Sequence, residues 1–499
     1  MPQKGSPDLF HLIKSLDRTE KAYFKKFAER HVIGERNNYV KLFNAIDKQV
    51  VYDEAKILRE EKYIKQLPYL KNYLFDLILK SMNVYHAEAS PENEIENAML
   101  QVRLLYKKKL FDPCLKLIAR TKQECIKYEL FLDLIKLISL EGNILNESDK
   151  RYDNRKLSDV LTRDAAHYEE CYRVTMLYNA LENELLYKAW EVDKKRRLHK
   201  AEDFAHIMQH ELLLDEKRAT SMRASMQFHN IHLLYTFYVW DAEQHFYHAK
   251  KLKEIHQARF VLYKDVLKYI LCLNNFYLSC LNTKRVEAGN KVLDEMKSLP
   301  IKTLREEEEV FSRYIMFKAN TFIVNRDYKK GVAFIKQNMP VYERIEATIK
   351  PRRKIKLHQI IGTLYFFHGD FKESLKWINL LITPEAEKVD EEIYYHGLIQ
   401  NLMVHYELKN EELIPYLVKS AQRFFTGNKI LSAFEKTMLH LFAEITKPGT
   451  NKKQLLEQTK KELELLFKDS FFDNIPNHID YLGWVENKLM KVKLSREKG

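Results

Sequence analysis

Glycine and proline are scarce. The chain has 499 residues and only 12 of each, against usual shares of about 7% and 5%. No proline lies between Pro113 and Pro300, and no glycine between Gly142 and Gly289. Sheets need turn residues at short intervals and helices do not. The scarcity argues against sandwiches, barrels and wound sheets, and predicts helix throughout. It also removes phosphate-cradling loops, which need clustered glycines so that backbone amides can approach a ligand. No GxGxxG or P-loop spacing occurs, which excludes a Rossmann or P-loop nucleotide site.

Cysteine is scarce as well. Cys114, Cys125, Cys171, Cys272 and Cys280 are odd in number, form no CxxC and sit in helical stretches. Buried reduced thiols, and hence a reducing compartment, are expected. Long apolar runs are missing too. The uncharged stretch Ala224 to Trp240 is broken by His229, Asn230 and His232, whereas a membrane span needs about 20 predominantly apolar residues. The start, Met1 to Gly5, leads into charged residues without an apolar signal segment. The expectation is a cytoplasmic protein without a membrane partner. HExxH, Glu-x-x-His and GxSxG are absent, so the chain is read as non-enzymatic.

What is present suits a large helical protein. Hydrophobic residues make up 45% and aromatics 12%, enough for a continuous core. The length exceeds one ordinary core, which implies several domains or one extended array. The net charge of +13 is spread over 31% charged residues. It is read first as a solvated lysine-rich surface, and second as a bias toward an acidic or nucleic-acid partner.

Several helix starts are explicit. Ser6-Pro7-Asp8 and Ser90-Pro91-Glu92 place a capping hydroxyl before a proline at the first helical position. Thr303 and Glu306 have capping-box spacing, and Asp17 and Glu20 a looser version. The acidic run Glu306 to Glu309 is read as charge placed to favour a helix dipole. The polar seam Glu88 to Asn93 divides the chain into an N-terminal helical module, 1–90, and a helical repeat region, 91–499.

The repeat signal is clearest toward the C-terminus. Ile360, Ile361, Leu364, Tyr365 and Phe367 form an apolar helical run around Gly362 that ends at the turn His368-Gly369-Asp370. Phe371, Leu375 and Ile378 then open a second run. Gly362, Tyr365, Ser374 and Pro384 follow the order small, aromatic, small, proline. So do Ala319, Phe322, Gly331 and Pro340, which turn at Asn325-Arg326-Asp327. One unit earlier Ala288 and Pro300 fit, so that Ala288, Gly331 and Ser374 stand 43 apart. Near the front, Phe111-Asp112-Pro113-Cys114 with Leu115 and Ile118 reads as another second helix. From Ser158 to Lys284 the chain is helical by period but gives no repeat register.

These residues resemble a tetratricopeptide repeat, in which small residues let two helix backbones approach and aromatics fill the space beside them. The resemblance implies an α-solenoid of stacked antiparallel helix pairs with a binding face for a protein or peptide. Its period exceeds the usual 34 or so, which longer helices or a different helical-repeat class would explain. After Pro476, Ile479, Leu482, Val485, Leu489 and Val492 make one stripe flanked by Tyr481 and Trp484. This suits a helix capping the last repeat, although Gly483 counts against it.

Candidate chemistry is thin. His199, His206, His210, His229, His232, His245, His248 and His256 crowd one stretch, with Asp203, Glu211 and Asp241 nearby. The pairs His206/His210, His229/His232 and His245/His248 have the spacing of one helix face, which metal sites in bundles use. Surface or hydrogen-bonded histidines are the commoner case, and no metal or cofactor is assigned. Basic clusters occur at Lys107 to Lys109, Lys194 to Arg197 and Arg352 to Lys354. Nucleic-acid binding would need them on one face. In the N-terminal module, Asp53 to Arg59 and Pro68 to Met82 read as two helices in helix-turn-helix order, with Lys71 and Asn72 near the start of the second. Tyr73, Leu74, Leu77 and Ile78 instead look like core, so packing is the first reading. The sequence therefore points to a scaffold for a protein or peptide. The alternative is a nucleic-acid-binding regulator with an N-terminal head and a repeat sensor domain. No catalytic, cofactor or metal residue is assigned.

Overall fold

A computed structural model describes residues 7–29, 38–61, 64, 66–87, 90–147, 155–194, 199–427, 431–467 and 479–496. Among the described residues 84% are helical, in 25 α-helices, and there is no strand. The fold is all-α and solenoid-like, with helices packed on their sequence neighbours. No helix among the described residues is long and apolar enough to cross a membrane. The chain forms two compact units, residues 1–197 with 202–228, and residues 198–201 with 229–499.

The first unit opens with α1 (Asp8–Ser15), α2 (Arg18–Glu29), α3 (Asn38–Asp47), α4 (Glu54–Glu60) and α5 (Leu67–Tyr85). They enclose a core of their own, including Leu9, Ile13, Phe24, Leu42, Phe43, Leu74 and Ile78. Asp17 and Glu20 cap α2 reciprocally, with bonds of 2.8 Å in each direction. A second core joins α6 (Pro91–Lys107), α7 (Phe111–Lys127) and α8 (Phe131–Glu147) around Val102, Cys114, Ile118, Leu134 and Leu137. Ser90 caps α6 through the Asn93 amide at 3.2 Å, with Pro91 at the first position. Ser6, the other cap expected before a proline, lies outside the described residues.

The stretch without repeat register holds α9 (Arg155–Lys194), a helix of 40 residues. It is followed by α10 (Ala201–Met208), α11 (Glu211–Leu214) and α12 (Met222–Tyr238). Tyr178 on α9 donates its hydroxyl to the Leu212 carbonyl at 2.8 Å and fixes α11. The Glu129 carboxylate, 93 residues upstream, accepts both Met222 N and Arg223 N at 2.7 Å. A carboxylate there meets the free amides and positive dipole end of α12.

The second unit continues with α13 (Ala242–Tyr263), α14 (Val266–Asn282), α15 (Val286–Lys297), α16 (Leu304–Val324), α17 (Tyr328–Ile345), α18 (Pro351–His368) and α19 (Phe371–Asn379). It ends with α20 (Pro384–Val389), α21 (Glu391–Glu407), α22 (Ile414–Gly427), α23 (Ala433–Ile445), α24 (Lys452–Phe467) and α25 (Tyr481–Arg496). One turn recurs. Trp240, Lys284, Arg326, Gly369 and Lys409 all have positive φ, at steps of 40 to 44 residues. In each case the next amide bonds back five residues: Asp241 to Thr236, Arg285 to Cys280, Asp327 to Phe322, Asp370 to Tyr365 and Asn410 to His405, at 2.8–3.0 Å. This is the Schellman closure of a helix. It links α12–α13, α14–α15, α16–α17, α18–α19 and α21–α22, so the unit is a run of like helix pairs.

The small residues sit where the backbones close. A Cβ on Gly362 would lie 2.8 Å from Ile378, and one on Gly331 would lie 3.1 Å from Phe322 and 2.6 Å from Leu364. The earlier unit needs a correction. Gly289, not Ala288, takes the buried position against Tyr277 and Cys280, so Gly289, Gly331 and Ser374 are the equivalent residues. The prolines need another. Pro340 lies inside α17, which runs on to Ile345. Pro384 does not close a repeat either, because it opens the short α20. These additions lengthen the period.

At the C-terminus, Ile479, Tyr481, Trp484, Val485 and Leu489 are buried, with Leu482 and Val492 partly so. Trp484 Nε1 donates to Glu407 at 2.6 Å, and Lys488 Nζ to the same carboxylate at 2.5 Å. Pro476, the expected start, lies outside the described residues. Gly483 has a local reason: its amide donates to Asp480 Oδ1 at 2.7 Å, and a Cβ there would lie 2.3 Å from that carboxylate.

Candidate functional site

Charge concentrates where α16, α18 and α21 begin. Thr303 and Glu306 form the capping box of α16, which leaves Glu307, Glu308 and Glu309 on the next turn. Pro351 opens α18, with Lys350 before it and Arg352, Arg353, Lys354 and Lys356 after it. Cations at a helix N-terminus oppose the dipole. Neighbouring acids offset this, because α16 packs on α18. Arg353 Nη1 donates to Glu308 Oε1 at 2.5 Å and to Ser312 Oγ at 3.0 Å, and its Nη2 donates to Glu309 Oε2 at 2.8 Å. Glu309 also holds Lys350 Nζ at 3.0 Å and pairs with Arg313. Glu308, Glu309 and Arg313 are buried. Burial alone would raise the Glu309 pKa, but Lys350, Arg313 and Arg353 bring it down to about 2. Such a network costs desolvation, and removing one partner strands the rest.

The pairing continues outward. Glu307 holds Arg344 at 2.9 Å, and Lys354 holds Glu346 at 2.6 Å. Arg352 Nε donates to Asp390 Oδ2 at 2.7 Å, while Asp390 Oδ1 caps α21 through the Ile393 amide at 3.2 Å.

Two charges stand apart from this pattern. Lys356 on α18 is half-buried and Glu392 on α21 is open to solvent. Among the described residues neither has an opposite charge within 4.0 Å. Burial, and then Arg352, lowers the Lys356 pKa, while Asp390 and Glu392 oppose the shift. Burial, and then Asp390, raises the Glu392 pKa, while Lys356 and Arg352 oppose it. Each feels the other's charge without touching it.

Buried amides lie on α16, α18 and α21. Gln400 Nε2 donates to Thr363 Oγ1 at 2.8 Å across α21 and α18. Asn320 Oδ1, Gln359 Nε2, Gln400 Oε1 and Asn401 Oδ1 have no protein hydrogen-bond partner among the described residues. Buried polar atoms are usually bonded, so this seam is unusually polar for a helix-packing layer.

The features singled out in the sequence are dispersed. His206 and His210 do not share a helix face, because α10 stops at Met208. His206 instead meets Glu184 at 3.0 Å, and His210 Nδ1 caps α11 through Leu212 N at 3.2 Å. His229 and His248 do meet, Nδ1 to Nδ1 at 3.0 Å, and His232 stacks on His248 at 4.7 Å. Glu211 pairs with Arg218 at 2.8 Å, and Asp241 caps α13 through Gln244 N at 3.0 Å. Among the described residues no group of three histidine, cysteine or acidic side chains is placed to hold a metal ion.

Lys107, Lys108 and Lys109 are exposed around the end of α6, whereas residues 195–197 lie outside the described residues. Lys71 is buried. Its ammonium donates to Tyr52 at 2.7 Å and to Glu54 at 3.0 Å, so it holds α4 to α5 and faces no groove. Leu74, Leu77 and Ile78 are core, whereas Tyr73 is exposed and stacks on Tyr39 at 4.3 Å. The belt itself escaped the sequence reading. Its pairs between helices are 37 to 45 residues apart, and only the repeat period could have brought them together. The chain matches no protein-family model, and the comparisons with curated proteins and with solved structures return no match.

Proposed function

We propose that this chain is a non-enzymatic scaffold of the tetratricopeptide-like kind, whose α16–α18–α21 face binds a segment of a protein partner. One observation carries the reading. Half-buried Lys356 and exposed Glu392 have no opposite charge within 4.0 Å among the described residues, whereas Arg352, Arg353, Lys354, Glu307, Glu308 and Glu309 beside them are paired. An unpaired, partly desolvated charge is costly to keep, and a peptide bearing both signs would satisfy the two together. The nucleic-acid reading is the weaker one, because Arg352, Arg353 and Lys354 already hold acids and Lys71 is buried. Five free, buried cysteines are in keeping with a reducing compartment, and the cytoplasm is the proposed location.

The test is selection of a random peptide library on the full chain, followed by fluorescence anisotropy of the selected peptides. Binding should weaken at least tenfold in Lys356→Ala and in Glu392→Ala, and the peptides should carry both an acidic and a basic residue. Peptides that bind both variants as well as the parent would overturn the assignment of this face. Submicromolar, sequence-dependent DNA binding at physiological salt would overturn the scaffold reading in favour of the regulator.

A further inference from the structure

The last helix, α25, makes contacts that covering the end of the stack does not require. A cap has only to shield the final helix pair. α25 does this: it packs on α24, and the rings of Tyr481 and Trp484 lie 4.9 Å from Phe434 and 5.7 Å from Phe442, both on α23. Its polar groups reach further back. Tyr481 Oη meets His396 Nδ1 on α21 at 3.2 Å, and Trp484 Nε1 donates to Glu407, at the end of the same helix, at 2.6 Å. Lys488 Nζ pairs with that same carboxylate. Arg326 Nη2, 154 residues upstream, donates to Asp480 Oδ2 at 2.8 Å, just ahead of α25. His396, Tyr481 and Trp484 are buried.

The contacts on α21 fall on one stripe. Glu392, His396, Gln400 and Glu407 are spaced by four, four and seven residues, which places them on one helix face. α25 takes His396 and Glu407. Gln400 is bonded to Thr363 at 2.8 Å, and Glu392 has no opposite charge within 4.0 Å among the described residues. His396 is one turn from Glu392, about 6 Å along the axis. The proposed partner face and the seat of α25 are therefore neighbouring stretches of one stripe. Tyr481, Trp484 and Lys488, the groups that α25 presents to it, are spaced by three and four and also share one face. Polar contacts of this kind select one segment over another, whereas shielding an apolar end needs none.

We propose that the α21 stripe is a docking site for a partner helix carrying tyrosine, tryptophan and lysine in the spacing of Tyr481, Trp484 and Lys488, and that α25 is an internal ligand that holds the site until such a helix displaces it. The partner rests on the α16–α18–α21 reading; the docking site itself does not. Tethering gives α25 a high effective concentration, so an outside helix wins only if it binds more tightly or if α25 is loosened. Displacement keeps α23 covered, because the incoming helix brings an apolar face of its own.

The experiment is fluorescence anisotropy of a labelled peptide of residues 479–496 titrated with the full chain. Combining Trp484→Phe with Lys488→Met removes both donors to Glu407 and keeps the apolar cover, so the chain should stay folded by circular dichroism. This variant should bind the peptide at least tenfold more tightly than the parent does. Adding Glu407→Gln to it should weaken binding at least tenfold, and a peptide with Tyr481→Ala, Trp484→Ala and Lys488→Ala should not bind. Lys356→Ala and Glu392→Ala should leave binding of the α25 peptide unchanged, so this proposal and the proposed function fail separately. Hydrogen exchange on the parent chain needs no variant: amides of α25 should exchange at least tenfold faster than those of α23 and α24, through an opening of α25 alone. A peptide that binds neither chain or both alike, or exchange of the three helices as one unit, would overturn the proposal.

Discussion

Ser374 Oγ donates to the Gly362 carbonyl at 2.8 Å, tying α19 to the middle of α18. Both residues are buried, and the glycine leaves no room for a Cβ beside Ile378. Ser374→Leu should therefore overpack the pair and lower stability by about 1–3 kcal/mol. Urea denaturation measures it, and an unchanged midpoint would contradict the close approach.

The network around Arg353 makes a sharper prediction. Arg353→Met leaves Glu308 and Glu309 buried with fewer partners. A loss of about 3–5 kcal/mol is expected from breaking such a network. Adding Glu308→Gln and Glu309→Gln to the same chain should recover part of that loss. If the triple variant is less stable than the single one, stranded charge is not the cause.

Stability should fall steadily as the solution is acidified. Burial lowers the pKa of His245, His358 and His396 to about 4, and that of His248 to about 3. Unfolded, each titrates near 6.5. Below pH 6.5 the unfolded chain takes up protons that the native chain refuses, so the native state loses ground until the folded values are reached. Each unit of separation is worth about 1.4 kcal/mol per group. Glu309 acts the same way at lower pH: its stabilisation is complete above about 4.5 and is lost as pH falls toward 2. Melting temperatures measured from pH 7.5 to pH 4.5 should decline once the pH falls below about 6.5, and a flat profile would refute the assignment.

Removal of residues 476–499 should expose Phe434, Phe442 and Tyr406, which pack on Tyr481 and Trp484. The truncated chain should aggregate or fail to accumulate in soluble form. If it remains monomeric and melts like the full chain, α25 does not cap the stack.

Fold class was legible because it followed from what is missing: without glycine and proline there is little material for sheets. The Gly362–Ser374 pair was legible because a small residue twelve positions from another leaves few explanations. Ala288 failed by one position, since it adjoins Gly289 and both are small; only the backbone turn at Lys284 separates them. The turns themselves were mostly hidden. Trp240, Lys284, Arg326 and Lys409 adopt positive φ without being glycine, and such residues carry no local signature. The belt was hidden for another reason. Glu308 and Arg353 each had a sufficient local account, a dipole for one and solvent for the other, and their pairing exists only in three dimensions.

The recurrent turn implies that the second unit has interchangeable joints. Arg326 and Gly369 both have positive φ and close the same bond, 43 residues apart. Excising 327–369, so that Arg326 runs directly into Asp370, would join one helix pair to the next through a turn of the same hydrogen-bond pattern. Neighbour interactions dominate in such arrays, so a shortened chain of this kind could still fold. The chain thus has a route to growing or shrinking by whole helix pairs, in which the length of the array and the chemistry of its face can change separately.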